Sequence, residues 1–192
     1  MQKIMFNDRY GLTDLVLSGM KTQTRILVKA KDEFLDGEFN WDSAGTMITF
    51  CKNGKEFIDI KSPYFFGEEL SVTIHKNNHT PNDIDNIITI TDIRFEKLQD
   101  ISDEDCLAEG VEKDLADGLA LYWFPVHIEG ISWEEWKARS YELSRHEYEG
   151  KPGKYFWGTP QEAFAALIDK INGKGTWASN PYVWVYDFEL VK

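Results

Sequence analysis

Gly19-Met20-Lys21-Thr22-Gln23-Thr24-Arg25-Ile26-Leu27-Val28 is where the chain passes from one kind of structure to another. Before it, Leu12, Leu15 and Val16 recur at helical spacing, and Gly19 stands where a helix C′ glycine belongs. The pattern predicts a helix from about Arg9 to Ser18. After Gly19 the residues turn polar and then β-branched, so Lys21 to Val28 reads as a loop running into a strand.

The same reading extends outward in both directions. Lys3 to Phe6 makes a short opening strand, residues 30–48 a loop or hairpin, Phe57 to Ile60 a strand, and Leu70 to Ile74 a half-buried strand. Ile87 to Phe95 is the next strand; strict alternation places Thr89, Thr91, Ile93 and Phe95 on one face and Ile88, Ile90, Asp92 and Arg94 on the other. Ser102 caps a helix whose first turn is acidic and which stops at Gly110. Thr159-Pro160-Gln161-Glu162 joins a capping box to a first-turn proline and opens a helix with Phe164, Leu167, Ile168 and Ile171 on one face. The last strand, Tyr182 to Val191, sets Tyr182, Trp184, Tyr186, Phe188 and Leu190 on one face. Short strands among a few helices, without a βαβ rhythm, predict an α+β fold built round a small sheet or barrel. The expected organisation is one domain over 1–192 with an insertion at 112–158. A helix from Ser132 to Tyr148 would set Trp133, Trp136, Ser140, Tyr141 and Tyr148 close to one face, with Trp133, Trp136 and Tyr141 pinning the insertion onto the barrel.

Composition narrows the classes. The 192 residues carry a net charge of −12, which argues against non-specific coating of DNA or RNA. The charge is uneven, however: residues 1–31 sum to +4, 32–95 to −7, 96–149 to −10 and 150–192 to +1. An expected local basic patch at residues 21–31 would suit a nucleotide or short single strand better than a long duplex. No run reaches the ~18 apolar residues of a membrane helix. The amino-terminal residues lack the apolar run of a signal peptide, so the expected location is the cytoplasm. Cys51 and Cys106 read as free buried thiols. His75 and His79, with His127 and His146 elsewhere, fall in a pattern better read as loop than as a zinc site. No metal or cofactor is expected.

The polar cluster Lys21, Thr22, Gln23, Thr24 and Arg25 offers cations, hydroxyls and an amide together. Such groups bind a phosphate or the edge of a nucleobase through charge-assisted and bidentate hydrogen bonds. Trp177 and Asn180, in the loop before the last strand, are the other candidate contacts. The aromatic face of Tyr182, Trp184, Tyr186 and Phe188 can stack a base, but it reads first as core.

Gly19 to Arg25, Ser62-Pro63-Tyr64 with Gly67-Glu68-Glu69-Leu70, Thr91 to Ser102, Ala108-Glu109-Gly110-Val111, Ile171-Asn172-Gly173 and Trp177 to Val185 follow one another along nearly the whole chain. In this order they resemble the ASCH family, and within it a branch common in phages and prophages. The resemblance implies a PUA-like β-barrel flanked by helices, an RNA-binding role and a pocket at a Gly-x-Lys-x-x-Glu-x-Arg motif. Gly19 and Lys21 fit that motif; Thr24 stands for its Glu and Ile26 for its Arg, with Arg25 one position early. One branch is a bacterial amidohydrolase that removes the acetyl group of N4-acetylcytidine with a Lys, a Thr and a Glu. Lys21 and Thr24 match two of these. The Glu is expected on the strand from Ile87 to Phe95, where Thr89 or Thr91 occupies its place and Asp92 faces away.

Three functions follow as expectations. The first is binding of RNA, as a short single strand, or of a nucleotide or nucleoside around Lys21 to Arg25. The second is an amidohydrolase acting on an acylated cytidine with Lys21 and Thr24, which requires a carboxylate within their reach. The third is an acidic phage-encoded interaction protein or nucleic-acid mimic.

Overall fold

The computed structural model describes residues 1–30, 37–43, 45–52, 55–73, 86–116, 119–123 and 157–191. The strands are β1 (Gln2–Met5), β2 (Gln23–Leu27), β3 (Glu38–Trp41), β4 (Met47–Lys52), β5 (Lys55–Lys61), β6 (Glu69–Thr73), β7 (Ile87–Lys97), β8 (Glu112–Ala116), β9 (Leu119–Trp123) and β10 (Tyr182–Val191). The helices are α1 (Leu12–Leu17), α2 (Asp103–Ala108), α3 (Pro160–Asn172) and the single turn α4 (Thr176–Ser179). The fold is mixed α+β. Among the described residues, the strands form a five-stranded sheet in the order β1-β6-β7-β10-β2, a three-stranded sheet β3-β4-β5 and the hairpin β8-β9.

The centre of the large sheet is the antiparallel pair β7–β10. One face of β10 gives Trp184, Tyr186 and Phe188 to a core shared with Ile48 and Phe50 of the small sheet. Phe95 packs edge-on to Trp184, with ring centroids 4.9 Å apart. The other face gives Val183 and Val185 to a second core, closed by Cys106 of α2 and by Ala163, Phe164 and Ile168 of α3. Most of β10 is thus covered on both faces. Leu190, expected on the aromatic face, lies past the cores and is exposed.

The alternation expected for β7 does not hold along its length. Asp92 lies opposite Asp187, whereas the next residue of β10, Phe188, lies opposite Ile90. Thr91 is therefore an extra residue, a β-bulge that exchanges the two faces. Ile88 and Ile90 point into the same core as Ile93 and Phe95, while Asp92, Arg94 and Glu96 follow on the opposite face.

The helix expected over 9–18 is divided. A 3₁₀ turn at Asp8–Tyr10 precedes α1, and Gly11 between them is left-handed at φ 65°. Gly19, at φ 74°, ends α1 as expected. In α2, the Ser102 side chain accepts from the Asp105 backbone N–H at 3.0 Å. In α3, Thr159 accepts from the N–H of Glu162, while the Glu162 carboxylate accepts from Gly158 N–H rather than from its own cap residue. Residues 30–48 yield β3 and the start of β4, in keeping with a hairpin. The expected insertion begins with the β8-β9 hairpin, tied by Tyr122 to Trp157. Its helix from Ser132 to Tyr148, with Trp133, Trp136, Tyr141 and Tyr148, lies outside the described residues, as do His75, His79, His127 and His146. No helix among the described residues is long and apolar enough to cross a membrane.

Candidate functional site

The segment after α1 turns back through two hydrogen bonds to the carbonyl of Leu15, from the N–H groups of Met20 and Lys21. The chain then enters β2, where alternation takes over. Gln23 and Arg25 are buried on the face toward α2 and α3; Thr24, opposite Tyr186, is half-buried on the other face. Lys21 is also buried, its side chain 2% exposed, and Thr22 is exposed, with its N–H bonded to the Ala108 carbonyl.

Lys21 lies against the end of α2. Its ammonium donates to the Gln23 carbonyl at 2.6 Å, the Glu109 carbonyl at 2.9 Å and the Glu109 carboxylate oxygen Oε2 at 2.5 Å. Three acceptors match the three donors of an ammonium group, so the charge is fully hydrogen-bonded although it is out of water. Burial pulls the Lys21 pKa below its ordinary value; Glu109 opposes this, and Arg25 adds to it. Gly110 makes the close approach possible. Its φ is 102°, and a Cβ there would lie 2.7 Å from Leu15 Cδ1 and 3.7 Å from Lys21 Cβ.

Arg25 continues the network outward. Nη1 donates to the Gln23 side-chain oxygen and, at 3.1 Å, to Glu109 Oε1; Nη2 donates to Glu96 Oε1 at 2.9 Å and Asp105 Oδ2 at 3.0 Å. Its Nε has no hydrogen-bond partner among the described residues. The guanidinium carbon stands 5.8 Å from the centroid of the Phe164 ring. Gln23 donates to Asp105 at 2.9 Å and to Asp187 at 2.6 Å.

The outer end belongs to Arg94, 35% exposed, which grips Asp105 with both Nη atoms at 3.1 and 3.2 Å. Glu96, Asp187 and Asp92 stand 3.5, 3.7 and 3.9 Å from the Arg94 guanidinium. Against the upward push of partial burial, hydrogen bonds from Arg94 and Gln23 and the charges of Arg94 and Arg25 hold Asp105 at about 2. The bulge at Thr91 sets this geometry, because it turns Asp92, Arg94 and Glu96 toward α2. Cys106, in the same layer, is fully buried, and burial pushes its thiol up to about 12, which makes it a packing residue rather than a nucleophile.

The expected residues are thus only partly brought together. Lys21, Gln23 and Arg25 form one cluster. Thr22 and Thr24 stand outside it. Trp177 and Asn180 build the corner between α3 and β10: Asn180, left-handed at φ 44°, accepts from the Gln99 N–H, and the Trp177 carbonyl accepts from the Gln99 side chain. The Trp177 ring packs on Phe164, the ring that also faces Arg25.

The expected basic patch is not what these side chains make. Acids of residues 92–109 and Asp187 fold over Lys21 and Arg25, so three cations face five carboxylates. Sequence reasoning missed Glu109, Asp105, Glu96, Arg94 and Asp187 as members. Glu109 did leave a signal, being a carboxylate at the carboxyl end of a helix, where the backbone carbonyls disfavour negative charge unless a cation is near. Among the described residues, no group of three or more His, Cys, Asp or Glu has the placement to hold a metal ion.

Chemically, the cluster combines a buried, hydrogen-bonded Lys–Glu ion pair and a buried amide with a rim of carboxylates and a guanidinium. Such a rim both donates and accepts, as the edge of a nucleobase does. No protein-family model matches the chain, and neither a curated protein nor a solved structure does.

Proposed function

We propose that this chain is an ASCH-type domain of PUA-like architecture that binds RNA, as a short single strand, or a nucleotide at the polar cluster around Lys21 to Arg25. The observation that carries the reading is the burial of Lys21, Gln23 and Arg25 in one ionic network on the face of the sheet toward α2. Packing alone does not call for it, since a buried ion pair is often no more stable than well-packed apolar side chains of similar volume. A polar cluster kept at that cost is a candidate binding site. With carboxylates in excess, the favoured contact is the edge of a base rather than the phosphate. Arg94, Asp105 and Asp187, at the water-facing end, supply the donors and acceptors.

The test is titration of short single-stranded RNAs and of cytidine and its monophosphate into the protein and Arg94→Gln, at two salt concentrations. Saturable binding that weakens at least tenfold in the variant and changes little with salt supports base-edge recognition. Equal binding by both proteins, or none by either, overturns it. A steep salt dependence would mean that phosphates dominate.

A second reading is favoured by the Lys21–Glu109 contact. An amidohydrolase acting on an acylated cytidine needs a proton-accepting group beside the amide; burial lowers the Lys21 pKa toward that role, while Glu109, which raises it, would orient the group. Thr24, expected to act with Lys21, faces away from Gln23 and Arg25. Incubation with N4-acetylcytidine decides this reading. Release of cytidine and acetate by the protein, lost in Lys21→Ala and Glu109→Gln, supports it; no release by the unmodified protein ends it.

A further inference from the structure

We propose that Arg25 is a positioning residue that makes the buried Lys21–Glu109 pair and the solvent-facing Asp105 and Glu96 one unit, so that what binds beside Asp105 is felt at Lys21. The inference rests on reading the cluster as a ligand site, and it adds how the outer end of that site reaches the inner one.

The geometry is that of a relay with one moving part. Glu109 is divided between two cations: Oε2 takes Lys21 at 2.5 Å and Oε1 takes Arg25 at 3.1 Å. The other arm of the same guanidinium takes Asp105 and Glu96, which border water. A guanidinium is planar and rigid, so a shift of Nη2 toward or away from Asp105 also moves Nη1 relative to Glu109. Every nitrogen of Arg25 except Nε is committed to these groups, and Nε has no partner among the described residues to resist the motion. Among the described residues, the charged groups facing Lys21 are Glu109 at the end of α2 and Arg25 from β2; the Gln23 and Glu109 carbonyls also accept from the ammonium, and the Phe6 ring stands 6.0 Å from it. Asp105 and Glu96 form no ion pair with Lys21. Beyond a direct field, the effect of Glu96 passes through Arg25. That of Asp105 passes through Arg25 and through Gln23, which donates to Asp105 and whose carbonyl accepts from Lys21. The Arg25→Lys background separates the first route from the second.

A lysine has one point charge on a flexible stem and cannot span Glu109, Glu96 and Asp105 as the fork does. Arg25→Lys thus keeps the charge and removes the bridge. The experiment follows the Lys21 side chain by NMR in the full chain without ligand, with Lys21→Arg assigning its signal, and records the pH at which it titrates. In the unmodified background, Asp105→Asn should lower that midpoint by about half a pH unit or more, because Arg25 turns from the lost carboxylate toward Glu109 and Lys21. In the Arg25→Lys background the same substitution should lower it by clearly less. Glu96→Gln, which leaves Arg25 in place, should act in the same direction as Asp105→Asn, and it keeps the test available should Arg25→Lys fail to fold. Equal shifts in both backgrounds, or no shift with either Asp105→Asn or Glu96→Gln, overturn the proposal. Cytidine added in a final step separates the two ideas: absent binding sinks the ligand site while leaving the ligand-free coupling measured.

Discussion

Lys21 and Glu109 lie 88 residues apart in sequence, yet their charged ends meet at 2.5 Å, with both side chains almost completely removed from water. The contact joins the end of α2 to the turn before β2. It thereby fixes the helix that carries Asp105 against the strand that carries Arg25. A pair buried this deeply is costly to form and more costly to break from one side.

The first prediction concerns that asymmetry. Lys21→Met should leave Glu109 facing Arg25 alone and destabilise the protein by about 3–5 kcal/mol. Glu109→Gln should also be costly, since the Lys21 ammonium loses its counter-charge while remaining buried. The double variant Lys21→Met/Glu109→Gln should cost less than the two single costs together, by roughly 0.5–3 kcal/mol. Urea unfolding of the four proteins measures this, and strict additivity would show that the two groups do not act on each other.

Gly110 is the second point of strain. Its backbone lies in the left-handed region, and a side chain there meets Leu15 before anything else. Gly110→Ala should destabilise by about 1–3 kcal/mol through the backbone conformation, with the Leu15 clash adding to it. Gly19→Ala is the internal control: its φ is also positive, but a Cβ there meets nothing within 4 Å. Thermal melts should rank Gly110→Ala well below Gly19→Ala. Equal losses would mean that the close packing against Leu15 carries no weight.

A third prediction tests the cap that positions Asp105. Ser102→Ala removes the acceptor for the Asp105 N–H and should cost about 1 kcal/mol. Because α2 has six residues, the loss falls on a helix with little else of its own to hold it. Hydrogen exchange should then rise across α2 more than across α3. Uniform protection in both helices would count against a local role for the cap.

The sequence and the fold agree where a signal is local. The β10 strand and the α3 helix were legible because alternation and a capping box act within a few residues of each other. The bulge at Thr91 was not, since one extra β-branched residue leaves a strand looking like a strand while every later side chain changes face. That one residue placed Asp92, Arg94 and Glu96 beside α2 and Ile88 and Ile90 in the core. The cations at Lys21 and Arg25 stood out in sequence, but their burial did not, because the acids that neutralise them come from β7, α2 and β10. Segment charges of +4 and −10 suggested a basic patch on an acidic body; folding instead sets parts of the two segments against each other.

Asp105 contributes to the acid side of the stability profile, and the sign follows from its direction of shift. Asp42 and Asp169 contribute there as well, since backbone hydrogen bonds also hold their carboxyls below the ordinary value. The Asp105 carboxyl titrates at about 2 in the folded chain against an ordinary value of 3.8. Between those values the unfolded chain binds a proton that the folded chain does not, so stability rises with pH across that window. The contribution is complete above pH 3.8 and is lost as pH falls through about 2. Asp105→Asn removes the titration and keeps the shape, although it leaves Arg94 and Arg25 with a neutral partner. The difference in unfolding free energy between the two proteins should therefore be constant near neutrality and shrink steadily on acidification below the ordinary carboxylate value. Urea unfolding in steps from neutral pH toward pH 2 measures it. A difference that stays constant throughout would place the Asp105 contribution in packing rather than in charge. Arg94→Gln supplies the complementary arm: with the bidentate partner gone, the Asp105 carboxyl should titrate closer to 3.8 and the acid limb should move upward in pH with it.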